Sequence, residues 1–247
     1  MLGYLLCNVL GLNLWLGIVL VTLLCAVTGY VQDRLLWQPL RRRGLGLTQM
    51  MIVTIGMALA AQYTFQFSVG TSTQKVVVRN FEVVEIGPVS LTGMSLIAMA
   101  ISLVVIGAVG YVLLRTRIGQ ATRAVSDNPA LAAASGIDVD RIIRLVWTVA
   151  AGLAGLGGVL YALTVSNGIR WDTGMQILLL LFAAVTLGGL GTAFGAFIGA
   201  IIIGLVVELA GPLGAPGDLK YAVALIILIL LLLVRPQGLL GRAVRVG

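Results

Sequence analysis

The sequence has no histidine among its 247 residues, and only 10% of them carry a charge. The first absence removes at once the commonest general base, the usual catalytic zinc ligand and the usual haem ligand, so no metal site is expected and membrane enzymes are disfavoured. The second excludes an ordinary soluble domain, which needs far more charged surface to stay in solution. Hydrophobic residues make up 60% of the chain and the mean hydropathy is +1.09, too apolar for disorder. What remains is a polytopic membrane protein with the lipid bilayer as its solvent. Cysteine is scarce as well. Cys7 and Cys25 lie 18 residues apart in one apolar stretch, roughly 27 Å along a single helix, too far to bridge within it. They read as small packing residues without a redox role. No G-x-x-x-x-G-K-[ST] loop occurs, so the chain cannot cradle ATP in the usual way.

Uncharged stretches cover residues 1–32, 44–74, 86–114, 145–169, 173–207 and 221–234. A spanning helix needs about 20 apolar residues, so each of the first four supplies one span, the first starting near Leu14, after Gly11 and Asn13. Met1 is followed by no basic segment of the kind that opens a cleavable signal. Basic residues orient the spans. Arg34, Arg41, Arg42 and Arg43 mark one loop, Arg115, Arg117, Arg123, Arg141 and Arg144 a second, and Arg235, Arg242 and Arg245 the tail. These are the expected cytoplasmic regions, and a topological origin for the net charge of +7 leaves no need for nucleic acid. Lys75, Arg79, Arg170 and Lys220 fall to external loops. With the Arg170 loop outside and the tail inside, parity requires the stretch after Thr173 to enter and return as two short helices. Gly188, Gly189 and Gly191 interrupt it near its middle. The expected fold is therefore all-α: about seven transmembrane helices in one membrane domain, residues 1–247, with the N-terminus outside and the C-terminus cytoplasmic. Gly191, Gly195 and Gly199 recur every four residues, a spacing that puts them on one helix face for close packing.

The long polar segment between Arg115 and Arg144 carries helix punctuation. Asp127 or Asn128 can cap a helix whose first residue is Pro129. Leu131, Ala132, Ala133 and Ala134 propagate it, and Gly136 can end it in a left-handed conformation. Asp138 can cap the next span. The result is a short helix of about two turns presenting small residues.

The run Gly119, Arg123, Ala124, Asp127, Pro129, Ala132, Ala133, Gly136 and Ile137 resembles the coupling segment of ATP-binding-cassette importer permeases of the branched-chain amino acid class. The ending RPQGLLG (235–241) and the stretch LGGLGTAFGAFIGAIIIG (187–204) are similar to that class too. The resemblance implies a cell (inner) membrane permease subunit that moves branched-chain amino acids or similar small polar solutes by alternating access, with no cofactor of its own. It also implies partners: two ATP-binding-cassette ATPase subunits docking on residues 115–144, a second permease, identical or related, and an extracytoplasmic solute-binding protein. Members of the class begin with one or two further spans and an N-F-A-H-G-E-like element. This sequence has neither, so the resemblance implies a start at an internal Met or a shortened relative.

Polar side chains inside spans are candidates for a substrate path. Gln62, Tyr63 and Gln66 cluster with Thr64 in the second span, and Gln62 and Gln66 share a face at i and i+4. Such a row suits a zwitterionic or neutral polar solute, but interhelical hydrogen bonding near the outer interface is the preferred reading, since amide side chains commonly join membrane helices. Thr148 is a weaker candidate, Trp147 reads as an interface anchor, and Glu208 as a water-facing carboxylate. The alternating KVVVRNFEVVEI (75–86) suggests a small external hairpin. Two alternative functions remain open: a permease for urea or short amides in the same family, and a self-sufficient secondary transporter. The latter needs an ion-coupling group near mid-bilayer, and none is visible.

Overall fold

The computed structural model describes residues 2–9, 11–74, 83–86, 89–165, 168–189, 193–210, 219–234 and 238–240. They form two compact units, Met1–Trp171 and Asp172–Gly247, each taken on its own below. Among the described residues the named elements are helices apart from one hairpin.

In the first unit a short α1 (Leu2–Tyr4) and a π turn (Leu5–Val9) precede α2 (Leu14–Gln32). The Asn13 side chain caps α2 by accepting the Trp15 N–H at 3.2 Å. The helix does not stop where the first basic residues begin. A π turn (Asp33–Trp37) and α3 (Gln38–Arg42) continue it, giving one apolar helix of 29 residues from Leu14 to Arg42. Arg34, Arg41 and Arg42, expected in a loop, therefore ride on a helix. No glycine interrupts residues 33–43, before Gly44, and Pro39, which would break a regular α-helix, follows directly on the wider π turn.

Next comes α4 (Leu47–Val69), opened by the Gly46 N–H donating to Gln49 Oε1 at 2.8 Å and closed by Gly70 at φ 87°. The hairpin β1 (Val83–Ile86) and β2 (Val89–Thr92) pairs Val83 with Thr92 and Ile86 with Val89. It uses the second half of the alternating segment expected to form a hairpin; residues 75–82 lie outside the described ones. Then follow α5 (Gly93–Arg115), α6 (Arg117–Asp127), α7 (Pro129–Ala134) and α8 (Val139–Thr164). Among the described residues four helices are long and apolar enough to cross a membrane: Leu14–Arg42, Thr48–Val69, Gly93–Arg115 and Val139–Thr164.

The principal helix pair is α2 against α8, and small residues make it close. In lipid, apolar burial gives little drive for helices to associate, so direct van der Waals contact must supply it. A Cβ at Gly29 would lie 2.7 Å from the Trp147 carbonyl oxygen, and one at Gly155 would lie 2.6 Å from Cys25 Sγ. Cys25 is thus a packing residue, and both cysteines are free thiols. Ile18, Val21 and Val159 are buried in the same contact. Gly157, two residues on, faces open space. We therefore expect Gly155→Ala to lower the stability of the detergent-solubilised protein by about 1–3 kcal/mol through overpacking, while Gly157→Ala is neutral or stabilising. Denaturant titration of the two variants checks the contrast. Among the described residues of α4, by comparison, none is buried, leaving its apolar surface to lipid or to another chain.

The second unit holds α9 (Thr173–Gly188), α10 (Ala193–Ala210) and α11 (Leu219–Val234). At about 1.5 Å per residue each is 24–27 Å long, a little under the thickness of a bilayer core. Helix α9 ends at Gly188, with Gly189 at φ 106° behind it; residues 190–192, including Gly191, are outside the described ones. A Cβ at Gly188 would collide with the Gly195 carbonyl, and one at Gly199 with the Ala184 carbonyl. Ala183, Ala184, Leu187 and Ile203 form the core, with Leu225 and Leu228 of α11 and Leu239 packed beside it. The last described residues cap α9: Gly238 takes φ 76°, and the N–H groups of Leu239 and Leu240 donate to the Leu187 and Gly188 carbonyls at 2.8 and 3.0 Å.

Candidate functional site

The polar segment after α5 holds two helices where one was expected. The Thr116 hydroxyl accepts the Gly119 N–H at 3.2 Å and donates to the Val112 carbonyl at 2.6 Å, so α6 starts by folding straight back on the end of α5. Gly119 is buried there, and a Cβ would collide with the carbonyls of Val112 and Leu113. Only glycine fits so close an approach. The rest of α6 is amphipathic. Val125 is buried, Ala121 and Ala124 are half-buried, and Arg117, Arg123, Ser126 and Asp127 face out. That spacing is helical, and the sequence carried it in Ala121, Ala124 and Val125 at i, i+3 and i+4, while Ile118 is exposed.

Asn128, and not Asp127, caps α7, accepting the Leu131 N–H at 3.0 Å, with Pro129 in the first turn. The helix ends as the sequence implies. Gly136 takes φ 84°, and its N–H donates to the Ala133 carbonyl while the Ile137 N–H reaches back to Ala132, both at 3.0 Å. This is the Schellman pattern, which satisfies carbonyls that a helix end would leave bare. Asp138 then caps α8 by accepting the Arg141 N–H at 3.0 Å. Of the residues named from sequence, Arg123, Asp127, Pro129, Ala133 and Gly136 are exposed, whereas Gly119 and Ala132 are buried and Ala124 and Ile137 half-buried. The first group forms an outward face and the second anchors it. Sequence reading took Leu131 only as a helix former, yet it stands 65% exposed at the tip of α7. An apolar residue immediately after Asn128–Pro129 and one helical turn before Ser135 was its only signal.

On α4, Gln62 and Gln66 are half-buried and Tyr63 is exposed. The Tyr63 ring stacks on Trp171 with centroids 6.1 Å apart. Beyond the ends of α4 and α8 their following segments meet in a two-bond bridge, Gln74 N–H to Ile169 O at 2.9 Å and Ile169 N–H to Gln74 O at 2.8 Å. Tyr63 and the two glutamines thus lie toward the end of unit 1 opposite α6 and α7. Thr148 donates to the carbonyl of Arg144 in its own helix at 2.8 Å, and Glu208 is exposed.

No sequence signal pointed to a polar cluster where the basic end of α2–α3 meets the start of α8. Asp33 has no exposed surface. Arg41 Nη1 stands 2.8 Å from one of its oxygens and Arg144 Nε 3.6 Å from the other. These are ion pairs by proximity, since neither oxygen accepts a well-directed hydrogen bond. Asp140 pairs with Arg42 at 3.1 Å and takes a hydrogen bond from Gln38 at 3.1 Å, while Arg144 Nη2 donates to Gln38 Oε1 at 2.8 Å. Trp147, read as an interface anchor, stacks on Trp37 at 5.4 Å, and the Arg144 guanidinium lies 5.8 Å from the centre of the Tyr30 ring. These contacts put the two basic segments, 34–43 and 115–144, at one end of unit 1.

Comparison with known proteins places these features in context. The family model described as branched-chain amino acid transport system / permease component matches residues 1–232. A high-affinity branched-chain amino acid transport system permease protein of Salmonella typhimurium, LivH, is 31% identical over 75% of the chain and 56% of its own length. The related protein BraD of Pseudomonas aeruginosa is 29% identical over 87% of the chain and 70% of its length. A probable branched-chain amino acid transport permease protein of Methanocaldococcus jannaschii is 30% identical over 94% of the chain and 76% of its length. The chain thus spans about half the length of the LivH proteins it matches. No solved structure matches it.

Proposed function

The chain belongs to the family of branched-chain amino acid transport system permease components, and on that premise we propose that it is the membrane subunit of an ATP-binding-cassette importer. It works with two ATPase subunits, a second permease, identical or related, and an extracytoplasmic solute-binding protein in the inner membrane. The observation that carries this reading is the outward face of α6–α7. It is a rigid, doubly capped knob of Arg123, Asp127, Pro129, Leu131, Ala133 and Gly136, anchored by the buried Gly119 and Ala132. A knob of this kind seats in a partner's cleft and moves as one body. Because the chain holds no phosphate loop of its own, the energy comes from that partner.

In this proposal the two units work as a single permease domain with seven crossings. α9 and α10 enter and return at the glycine turn of Gly188, Gly189 and Gly191, and Gly195 and Gly199 seal the helix pair. The N-terminus is outside and the tail cytoplasmic. A tag placed after Gly247 should then be reachable by a membrane-impermeant reagent only in inside-out vesicles, and labelling of intact cells would overturn the topology. The solute passes beside Gln62, Tyr63 and Gln66, whose uncharged amides and hydroxyl suit the zwitterionic backbone of an amino acid. The same groups suit urea or a short amide, so the solute class rests on the family. Co-purification with candidate ATPase subunits, followed by solute-stimulated ATP hydrolysis in proteoliposomes, tests the whole reading. Stimulation by leucine, isoleucine or valine is the expected result. Accumulation by the chain alone on an ion gradient would sink it.

A further inference from the structure

We infer that Asp33, Arg41 and Arg144 are positioning residues that lock the start of α8, and with it the coupling segment, onto the basic end of α2–α3. The lock rests on the importer reading only for its consequence in transport; the geometry stands by itself.

Depth in the membrane makes the arrangement costly and therefore informative. Asp33 lies 19 residues after Leu14, and Arg144 lies 20 before Thr164, each roughly 30 Å of helix, which puts both near one edge of the hydrocarbon core. A carboxylate fully buried there is unfavourable unless neutralised. It is neutralised from both sides of the helix contact, by Arg41 from its own helix and by Arg144 from α8. Two backbone features serve this meeting. In a straight α-helix, residues four and eight positions on drift around the axis; the wider turn at Asp33–Trp37 removes part of that drift. Asp33, Trp37 and Arg41 consequently face α8 together, Trp37 stacking on Trp147. One turn earlier, Gly29 lets α8 approach to backbone distance.

The cluster is also chained directly to the knob. Gly136 and Ile137 close α7, Asp138 caps α8, and Asp140, two residues further, is held by Gln38, Arg42 and Arg41. Displacement of α7 must either move these groups with α2 or break them. With the lock intact, α2 and α8 travel as one body; with it broken, the same displacement is absorbed by hinging near Gly136.

The test uses the full chain in two settings. In proteoliposomes with its ATPase partners, Asp33→Asn and Arg144→Gln should lower the solute moved per ATP hydrolysed by about tenfold while hydrolysis continues, because the first removes the buried carboxylate that joins the helices and the second leaves it held from its own helix alone. Asp33→Glu should recover part of the loss. In detergent, with the chain alone, hydrogen exchange at residues 33–43 and 138–146 should accelerate about tenfold in Arg144→Gln, with α9 and α10 unchanged. If Arg144→Gln does not insert, Arg144→Lys, which keeps the charge and loses the planar fork, should give the same changes at smaller size. Unchanged exchange overturns the lock. Faster exchange with an unchanged transport-to-hydrolysis ratio overturns it too, since the residues would then only stabilise the helix pair. Absence of ATP-driven uptake in the unsubstituted complex sinks the importer reading, and with it the lock's consequence in transport, while unchanged exchange sinks the lock alone.

Discussion

Gly136→Arg is expected to lower solute uptake at least tenfold while the protein remains in the membrane at normal abundance, and Gly136→Asn to stay close to wild type. The separation follows from what surrounds this residue. A Cβ at Gly136 meets nothing within 4 Å, and the residue is exposed, so a side chain there has room to leave toward solvent. The conformation does oppose a side chain: φ is 84°, and a non-glycine residue there costs about 1–2 kcal/mol, least for asparagine. Strain alone would therefore penalise the two variants by similar small amounts. Bulk and charge distinguish them, because Arg adds a long cationic arm to the exposed face of α7 where, in the proposed docking, a partner's cleft closes on Ala133 and Leu131. Uptake in cells, normalised to membrane abundance, reads the first effect, and ATPase stimulation in the purified complex reads the second. Equal loss in both variants would assign the residue to backbone geometry alone, and normal uptake with Gly136→Arg would remove α7 from the docking surface.

The parts legible in sequence are those built from local chemistry. Asn128, Pro129, Gly136 and Asp138 each act within one turn of themselves, so residue order alone places the caps of α7 and α8. Asn13 marks the start of α2 in the same way. Helix α6 is legible in principle, since its apolar residues repeat at helical spacing, but the charges between them make the segment read as a polar connector. The lock at Asp33 is not legible. Its members lie more than a hundred residues apart, their charges read as loop markers, and the π turn that aligns them has no compositional signature. A basic cluster beside an apolar run marks a membrane face, but whether its arginines face water or a buried carboxylate depends on a neighbour that sequence order does not reveal. The glycines show the same division. Gly155 and Gly157 are alike in sequence, yet one is pressed against Cys25 and the other faces open space.

That division makes Gly199→Leu a severely damaging substitution in the second unit. A Cβ at Gly199 would already collide with the Ala184 carbonyl and lie 2.8 Å from the Gly188 nitrogen. Both obstacles are backbone, so no rotamer change in a neighbour can make room. The helices must separate, and Ala183, Ala184, Leu187 and Ile203, which hold the core of this unit, lose their contacts together. Overpacking in a core usually costs about 1–3 kcal/mol; with main chain as the obstacle about 4 kcal/mol is expected, at the severe end of single substitutions. Gly204 supplies the control, because it lies on the same helix with open space around it, and Gly204→Leu should be tolerated in lipid. Protease resistance and denaturant midpoints of the two variants in bilayer discs measure the contrast. Similar stability for both would mean that α9 and α10 are held by something other than backbone contact at Gly188 and Gly199.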